Sequence, residues 1–461
     1  MRALRSSKMA LGRMLRSTIV GAVFAAACRT DAPVPTAVIA ASNSPAAPAD
    51  QNDDANWGRR GRLVNAVVLR RLTVQQTLAI LGGITPKELV PAAIEAFAPS
   101  YDVDHYAIEY TTTDAHGELV VASAGVFVPI AAGVPLPERL PLVSFSHGTQ
   151  TDKQKVPSTL KFINPQGIIQ AAHGSVAVLA DYVGMGVDAA HVHPYLVADV
   201  GASSSVDALR AASRLVKQLG LSLDGRLFIY GHSQGGQVAM ALARELERTP
   251  RSGFTATAVA PMAGPYALYE VGKIGLADPT PRAQAAVPMA YLMAAYQETY
   301  HLAATLNDLL VSPYDEIGHT IVTAGMTDEQ ILAAKFPKFA REVLQPAVTD
   351  AWLNKPDSPL SRALQANQTY DWRPRAPMRM YYGEADVTVA PLNTAIALER
   401  MSALGAPDVQ AVKLIGVNGE ALAHGATQWP AYIAARRWFN TFPAPAREEE
   451  EQERFHEHTY P

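Results

Sequence analysis

The string Leu227-Phe228-Ile229-Tyr230-Gly231-His232-Ser233-Gln234-Gly235-Gly236 runs an apolar, strand-like stretch straight into a serine flanked by glycines. A serine hydroxyl is a poor nucleophile unless it is held in the open beside a base, and a sharp strand-to-helix turn holds it that way. Small residues at Gly231 and Gly235 suit such a turn, which brings backbone segments close together. The chemistry is acyl transfer, with Ser233 attacking a carbonyl carbon while a histidine takes its proton.

In a sheet protein of this kind the partners follow in the order serine, acid, histidine. The histidines after Ser233 are His301, His319, His424, His456 and His458. Only His424, in Leu422-Ala423-His424-Gly425-Ala426, falls in a loop between the last strand-like run and the last helix-like one. Upstream, Met380-Tyr381-Tyr382-Gly383-Glu384-Ala385-Asp386 places a carboxylate in the loop after a strand. Asp386 is the expected acid, with Glu384 as the alternative. The oxyanion of the tetrahedral intermediate needs backbone donors. The amide of Gln234 is one, and Gly148 or Thr149 in Ser146-His147-Gly148-Thr149-Gln150 supplies the other, with His147 structural. Tyr182, in Ala180-Asp181-Tyr182-Val183-Gly184-Met185-Gly186, either offers its hydroxyl to the substrate or packs. Met289, Met293 and Tyr296 either line an acyl pocket or form the buried face of a helix. His191 and His193 have metal-like spacing but no accompanying ligand cluster, so no metal site is expected.

These residues need a scaffold. Strand-like runs bounded by turn residues at 140–146, 175–180, 226–230 and 255–261 alternate with helical stretches at 200–219 and 237–248. That rhythm predicts a mostly parallel central sheet with helices on both faces. Residues 108–113 and 119–129 read as an opening antiparallel pair. Residues 266–375 contain helical runs and no buried strand, and are read as a helical cap inserted into a catalytic domain of residues 63–265 and 376–446. Strands resume at 378–382 and 409–415, and a last helix is expected at 427–439.

The set His147-Gly148-Thr149, Pro157-Ser158, Asp181-Tyr182-x-Gly184-x-Gly186, Gly231-His232-Ser233-Gln234-Gly235, Asp386 and His424 resembles the secretory lipase family of α/β hydrolases, over roughly residues 100 to 440. The resemblance implies the α/β-hydrolase fold, cleavage of a small-molecule or lipid ester, a helical lid and no cofactor. In related proteins a cysteine often stands shortly before the Pro-Ser pair; here Val156 does. The same fold also serves serine peptidases and non-catalytic surface binding proteins, which are the competing readings.

The chain has 461 residues and a formal net charge of −4, which gives no electrostatic reason to expect nucleic acid as a partner. Arg2, Arg5, Lys8, Arg13 and Arg16 precede an apolar run ending in small residues, so residues 1–27 read as an export signal and the protein as secreted, periplasmic or anchored in the envelope. Cys28 is the only cysteine. It could be lipidated and attach the chain to a membrane, or simply lie beside an ordinary cleavage site; in either case no internal disulfide can form. Residues 28–62 read as a flexible linker and 447–461 as an acidic tail.

Overall fold

The computed structural model describes residues 56–278 and 284–445. The export signal, Cys28, most of the linker and the acidic tail lie outside the described residues. In chain order the elements are β1 (Leu63–Leu72), α1 (Val74–Ile84), α2 (Val90–Phe97), β2 (Asp102–Thr113), β3 (Leu119–Ile130), β4 (Leu140–Ser146), α3 (Pro165–Ala172), β5 (Val176–Ala180), α4 (Ala198–Gln218), β6 (Leu223–His232), α5 (Gln234–Arg248) and β7 (Ala258–Met262). Among the described residues six α-helices follow before the next strand: α6 (Leu268–Ala277), α7 (Ala286–Tyr300), α8 (Tyr314–Thr323), α9 (Asp328–Ala333), α10 (Pro346–Asn354) and α11 (Pro359–Ala366). The chain then returns through β8 (Met378–Gly383), α12 (Leu392–Ala403), β9 (Val409–Leu414) and α13 (Gln428–Phe439).

The strands form one sheet in the order β1-β2-β3-β5-β4-β6-β7-β8-β9. The pairs from β1 through to β3 with β5 are antiparallel, and the five pairs from β5 with β4 through to β9 are parallel. Each strand of the parallel half is followed by a helix that must cross one face, so both faces are covered. The period of two along β6 shows the result. Leu227 and Ile229 face a core containing Leu209 and Met240, while Phe228 and Tyr230 face one containing Ile168 and Phe439. Such a strand reads as a continuous apolar run, which is why it was legible in the sequence.

Two differences from expectation concern the N-terminal part. Strand β1 has no counterpart among the expected strands. It is the edge of the sheet, with Val64, Val67 and Val68 half exposed, so its hydrophobic pattern carries no alternation to read. Residues 56–62, expected as the end of a linker, are anchored to the domain at Trp57, Arg60 and Gly61, while Gly58, Arg59 and Arg62 are exposed. Arg60 is buried, with Nε 2.9 Å from Asp207 Oδ2, and Trp57 lies under the Arg210 guanidinium at 4.4 Å. The stretch between β7 and β8 contributes Tyr291, Met293, Ile321 and Trp352 to a third core, which it shares with Val183, Tyr195 and Leu196 from the segment between β5 and α4 and with Val200 of α4. Within its described residues the only strand-like feature is an isolated bridge between Leu310 and Leu344.

Candidate active site

Ser233 sits between β6 and α5 with φ 62° and ψ −124°. A side chain in that region is strained, and the strain persists only where surrounding contacts hold it. Its amide donates to Met262 O at 2.9 Å, and its carbonyl accepts from Gly236 N at 2.8 Å. The turn is tight enough that a Cβ at Gly231 would come within 2.2 Å of Gly235 O, and one at Gly235 within 1.9 Å of Ser146 O. Both obstacles are backbone and cannot swing away. Gly235→Ala is therefore expected to destabilise the fold by on the order of 3 kcal/mol or more and to displace the Ser146–Gly148 backbone from beside Ser233. Thermal unfolding combined with an activity assay would check it; an Ala variant with wild-type melting and turnover would contradict this packing.

The carboxyl ends of β6 and β8 and the loop after β9 bring three side chains together. His424 Nε2 lies 2.8 Å from Ser233 Oγ, and His424 Nδ1 lies 2.6 Å from Asp386 Oδ2. Asp386 is buried, and its other oxygen accepts from Thr388 N at 2.9 Å and Val389 N at 2.8 Å. A carboxylate so placed can only accept, so Nδ1 carries the hydrogen and the Nε2 lone pair faces the serine hydroxyl. Glu384 is turned outward to Lys413 Nζ at 3.3 Å and has no contact with the histidine. His232 braces His424 from behind. Its ring lies 4.8 Å from the His424 ring, and its Nε2 is 2.9 Å from Thr427 Oγ1, which itself donates to His424 O at 2.6 Å. Burial, and then the neighbouring His424, hold the His232 imidazole well below its usual range, so it is a neutral donor.

The loop after β4 lies beside the serine. A Cβ built on Gly148 would be 3.6 Å from Ser233 Cβ. Thr149 Oγ1 is 2.8 Å from the Tyr195 hydroxyl, and the Tyr195 ring stacks on Tyr291 of α7 at 4.3 Å and 6°. The side chain of Gln234 is pinned as well: its Nε2 lies 3.1 Å from His193 Nε2. His193 Nδ1 sits 2.7 Å from Val183 O, and burial pulls the ring down to about 3, so it donates through Nδ1 and accepts from Gln234. His191 pairs with Asp188 at 2.5 Å. Among the described residues no cluster of histidine, cysteine and acidic groups could hold a metal.

Two alternatives left open by the sequence concern Tyr182 and helix α7. Tyr182 is buried and its hydroxyl donates to His147 O at 2.9 Å, so it braces the loop rather than facing substrate. Met293 and Tyr296 are fully buried within the core of the helical stretch, and Met289 is partly buried against it, so this is the packed face of α7 rather than a pocket lining. Helix α7 is apolar nearly all round, so its pattern could not separate the two possibilities. Met293→Ala should accordingly cost about 2–5 kcal/mol in denaturant unfolding while leaving acyl-chain preference unchanged. A change in preference without loss of stability would restore the pocket assignment.

Asp181 explains the glycine-rich motif around it. Its oxygens accept from Ser158 N at 2.9 Å, Ser123 Oγ at 2.6 Å and Ser158 Oγ. A Cβ on Gly186 would strike both Asp181 Oδ2 and Ser123 Oγ at 2.3 Å. Burial pushes the Asp181 carboxyl up from 3.8 to about 6, against the opposing effect of these hydrogen bonds. The folded state therefore binds the proton more tightly than the unfolded one. The stabilisation this gives is full below about pH 4 and is lost as pH rises through about 6. Asp181→Asn keeps an acceptor for Ser158 N without the charge. Its stability relative to wild type should improve by on the order of 3 kcal/mol between pH 4 and pH 7. A pH series of melting curves checks this, and a pH-independent difference would contradict it.

No protein-family model matches the chain, and neither does any curated protein sequence. Solved structures do. The rice cell wall degrading esterase LipA from Xanthomonas oryzae superposes with a TM-score of 0.72 at 24% identity, covering 82% of this chain and 97% of that one. Candida antarctica lipase A in its closed state superposes with a TM-score of 0.58 at 15% identity, covering 84% and 85%. The mostly parallel sheet with helices on both faces, shared with this esterase and this lipase, identifies the chain as an α/β-hydrolase in fold.

Proposed function

We propose that the protein is an exported serine hydrolase that cleaves carboxylic acyl esters. The observation that carries the reading is the continuous relay from Ser233 Oγ through His424 to Asp386, at 2.8 and 2.6 Å. In the proposed cycle His424 Nε2 takes the Ser233 proton as Oγ attacks the acyl carbon. Asp386 holds the imidazole in the required tautomer and stabilises its charged form. The oxyanion is received by the amide of Gln234 and by backbone donors at Gly148 and Thr149. His424 then protonates the departing alcohol, leaving an acyl-Ser233 ester, and water activated by the same histidine releases the acid. The ester assignment draws on what the structural neighbours are named for, an esterase and a lipase. Residues 266–375 are proposed to cover the site and govern access to it.

Export rests on the basic and apolar start of the sequence, with lipidation at Cys28 left open. Among the described residues no helix is long and apolar enough to cross a membrane. The deciding experiment is hydrolysis of p-nitrophenyl esters graded from acetyl to palmitoyl, beside the matching anilides and a peptide amide. Ester turnover with negligible amide turnover is the expected result, whereas preferential amide cleavage would assign the same site to a peptidase. Intact mass of natively expressed protein addresses export, since retention of residues 1–27 would overturn it.

A further inference from the structure

Lys153 is a cation buried to 2% of its surface, with no carboxylate in its hydrogen-bonding shell. Its Nζ donates to Ala189 O at 3.1 Å, His191 O at 2.6 Å and Thr323 O at 2.8 Å. An ammonium has three hydrogens, and each meets a backbone carbonyl. Burial lowers the group from 10.5 to about 8, an effect partly offset by Asp188 nearby, so at neutral pH it keeps its charge. Burying a lysine this way is costly, and the return must lie in what the three carbonyls join.

They belong to separate segments. Ala189 and His191 lie in the loop that also carries His193 and Tyr195. Thr323 is the last residue of α8, where unpaired carbonyls and the helix dipole favour a cation. The main chain around Lys153 makes the same connections, with its own carbonyl accepting from Gly186 N at 2.9 Å. Thr151 exchanges two bonds with Met326: Thr151 Oγ1 donates to Met326 O at 2.8 Å, and Met326 N donates to Thr151 O at 2.7 Å. Earlier in the loop, Thr149 is held by Tyr195, and the Tyr291 hydroxyl of α7 donates to Gln150 O at 3.4 Å. The residues that follow Gly148 are thus fastened in turn either to the 184–195 loop or to the helical stretch.

We propose that Lys153 is a positioning residue that locks the Gly148–Thr149 backbone in place beside Ser233 by tying its loop to the end of α8. This rests on the proposed ester hydrolysis. It makes the helical stretch part of the machinery that receives the oxyanion and not only a cover over it. The ammonium touches no reacting atom and acts through the loop. Its loss should therefore weaken binding of the tetrahedral state and leave ground-state binding of the ester almost unchanged.

The test compares wild type with Lys153→Met, a neutral chain of similar length, in kcat, KM and inhibition by an alkyl trifluoromethyl ketone, whose free carbonyl carbon is attacked by the serine Oγ to give a hemiketal oxyanion. Removing one oxyanion donor outright costs about 10²–10³ in turnover, so a displaced loop should lower kcat by about tenfold or more. KM should stay within about twofold, and the ketone should weaken by about the same factor as kcat. Should Lys153→Met not fold, Lys153→Gln, a shorter neutral donor, is expected to show the same split. Wild-type kcat and ketone affinity in a folded variant, with only the melting temperature lowered, would overturn the proposal and reduce Lys153 to a structural tie. That result is distinct from failure of the functional reading, which would show as no Ser233-dependent ester turnover in the wild type.

Discussion

Ser233→Ala and His424→Ala are each expected to remove nearly all ester cleavage while leaving the fold intact. Both side chains are partly exposed at the end of the sheet and neither belongs to a hydrophobic core, so truncation leaves no cavity. The loss is chemical. Without Oγ nothing attacks, and without Nε2 at 2.8 Å the hydroxyl keeps its proton. In subtilisin, loss of either corresponding residue costs about 10⁶ in turnover, and combining the losses adds little because the residues act as one unit. The double variant here should likewise be no slower than the singles by more than about a few-fold. A folded His424→Ala protein with near wild-type turnover would reject His424 as the base.

Asp386→Asn is expected to lower turnover by about 10⁴, less than loss of the serine or histidine. The asparagine can still accept from Thr388 N and Val389 N through its oxygen, so the loop after β8 should hold. Its amide nitrogen would then face His424 Nδ1 and favour the tautomer with hydrogen on Nε2, which cannot accept the serine proton. Occasional population of the correct tautomer leaves a measurable rate. Glu384→Gln, at an exposed residue paired with Lys413, should stay within about twofold of wild type. Steady-state kinetics on the two variants settles the comparison, and greater impairment in Glu384→Gln would move the acid there.

How much was legible in the sequence follows the range of the interactions involved. Ser233 and Asp386 each stand just beyond a strand, and His424 in the loop between the last strand and the last helix, so their approach could be expected although 191 residues separate the serine from the histidine. Strand β4 was readable to the residue because both its faces are buried. Edge strand β1 was not, because its outward valines carry no periodic signal. The residues that brace the site were also invisible. Lys153 stands in no motif, and His193 showed only a spacing to His191 without a ligand cluster. Nothing local announces that Tyr291 stacks on Tyr195, because that contact exists only once the helical stretch is folded onto the loop. Met293 and Tyr296 were left with two readings for a third reason: an apolar helix surface looks the same whether it faces substrate or neighbouring helices.

Whether Ser233 carries the acyl group is read by peptide mapping with mass spectrometry after rapid acid quench of a reaction with an excess of a p-nitrophenyl ester. One acyl adduct per chain is expected, located on the peptide containing Ser233, with no adduct in Ser233→Ala or His424→Ala. An adduct on another residue, or undiminished ester turnover in Ser233→Ala, would contradict that role for Ser233.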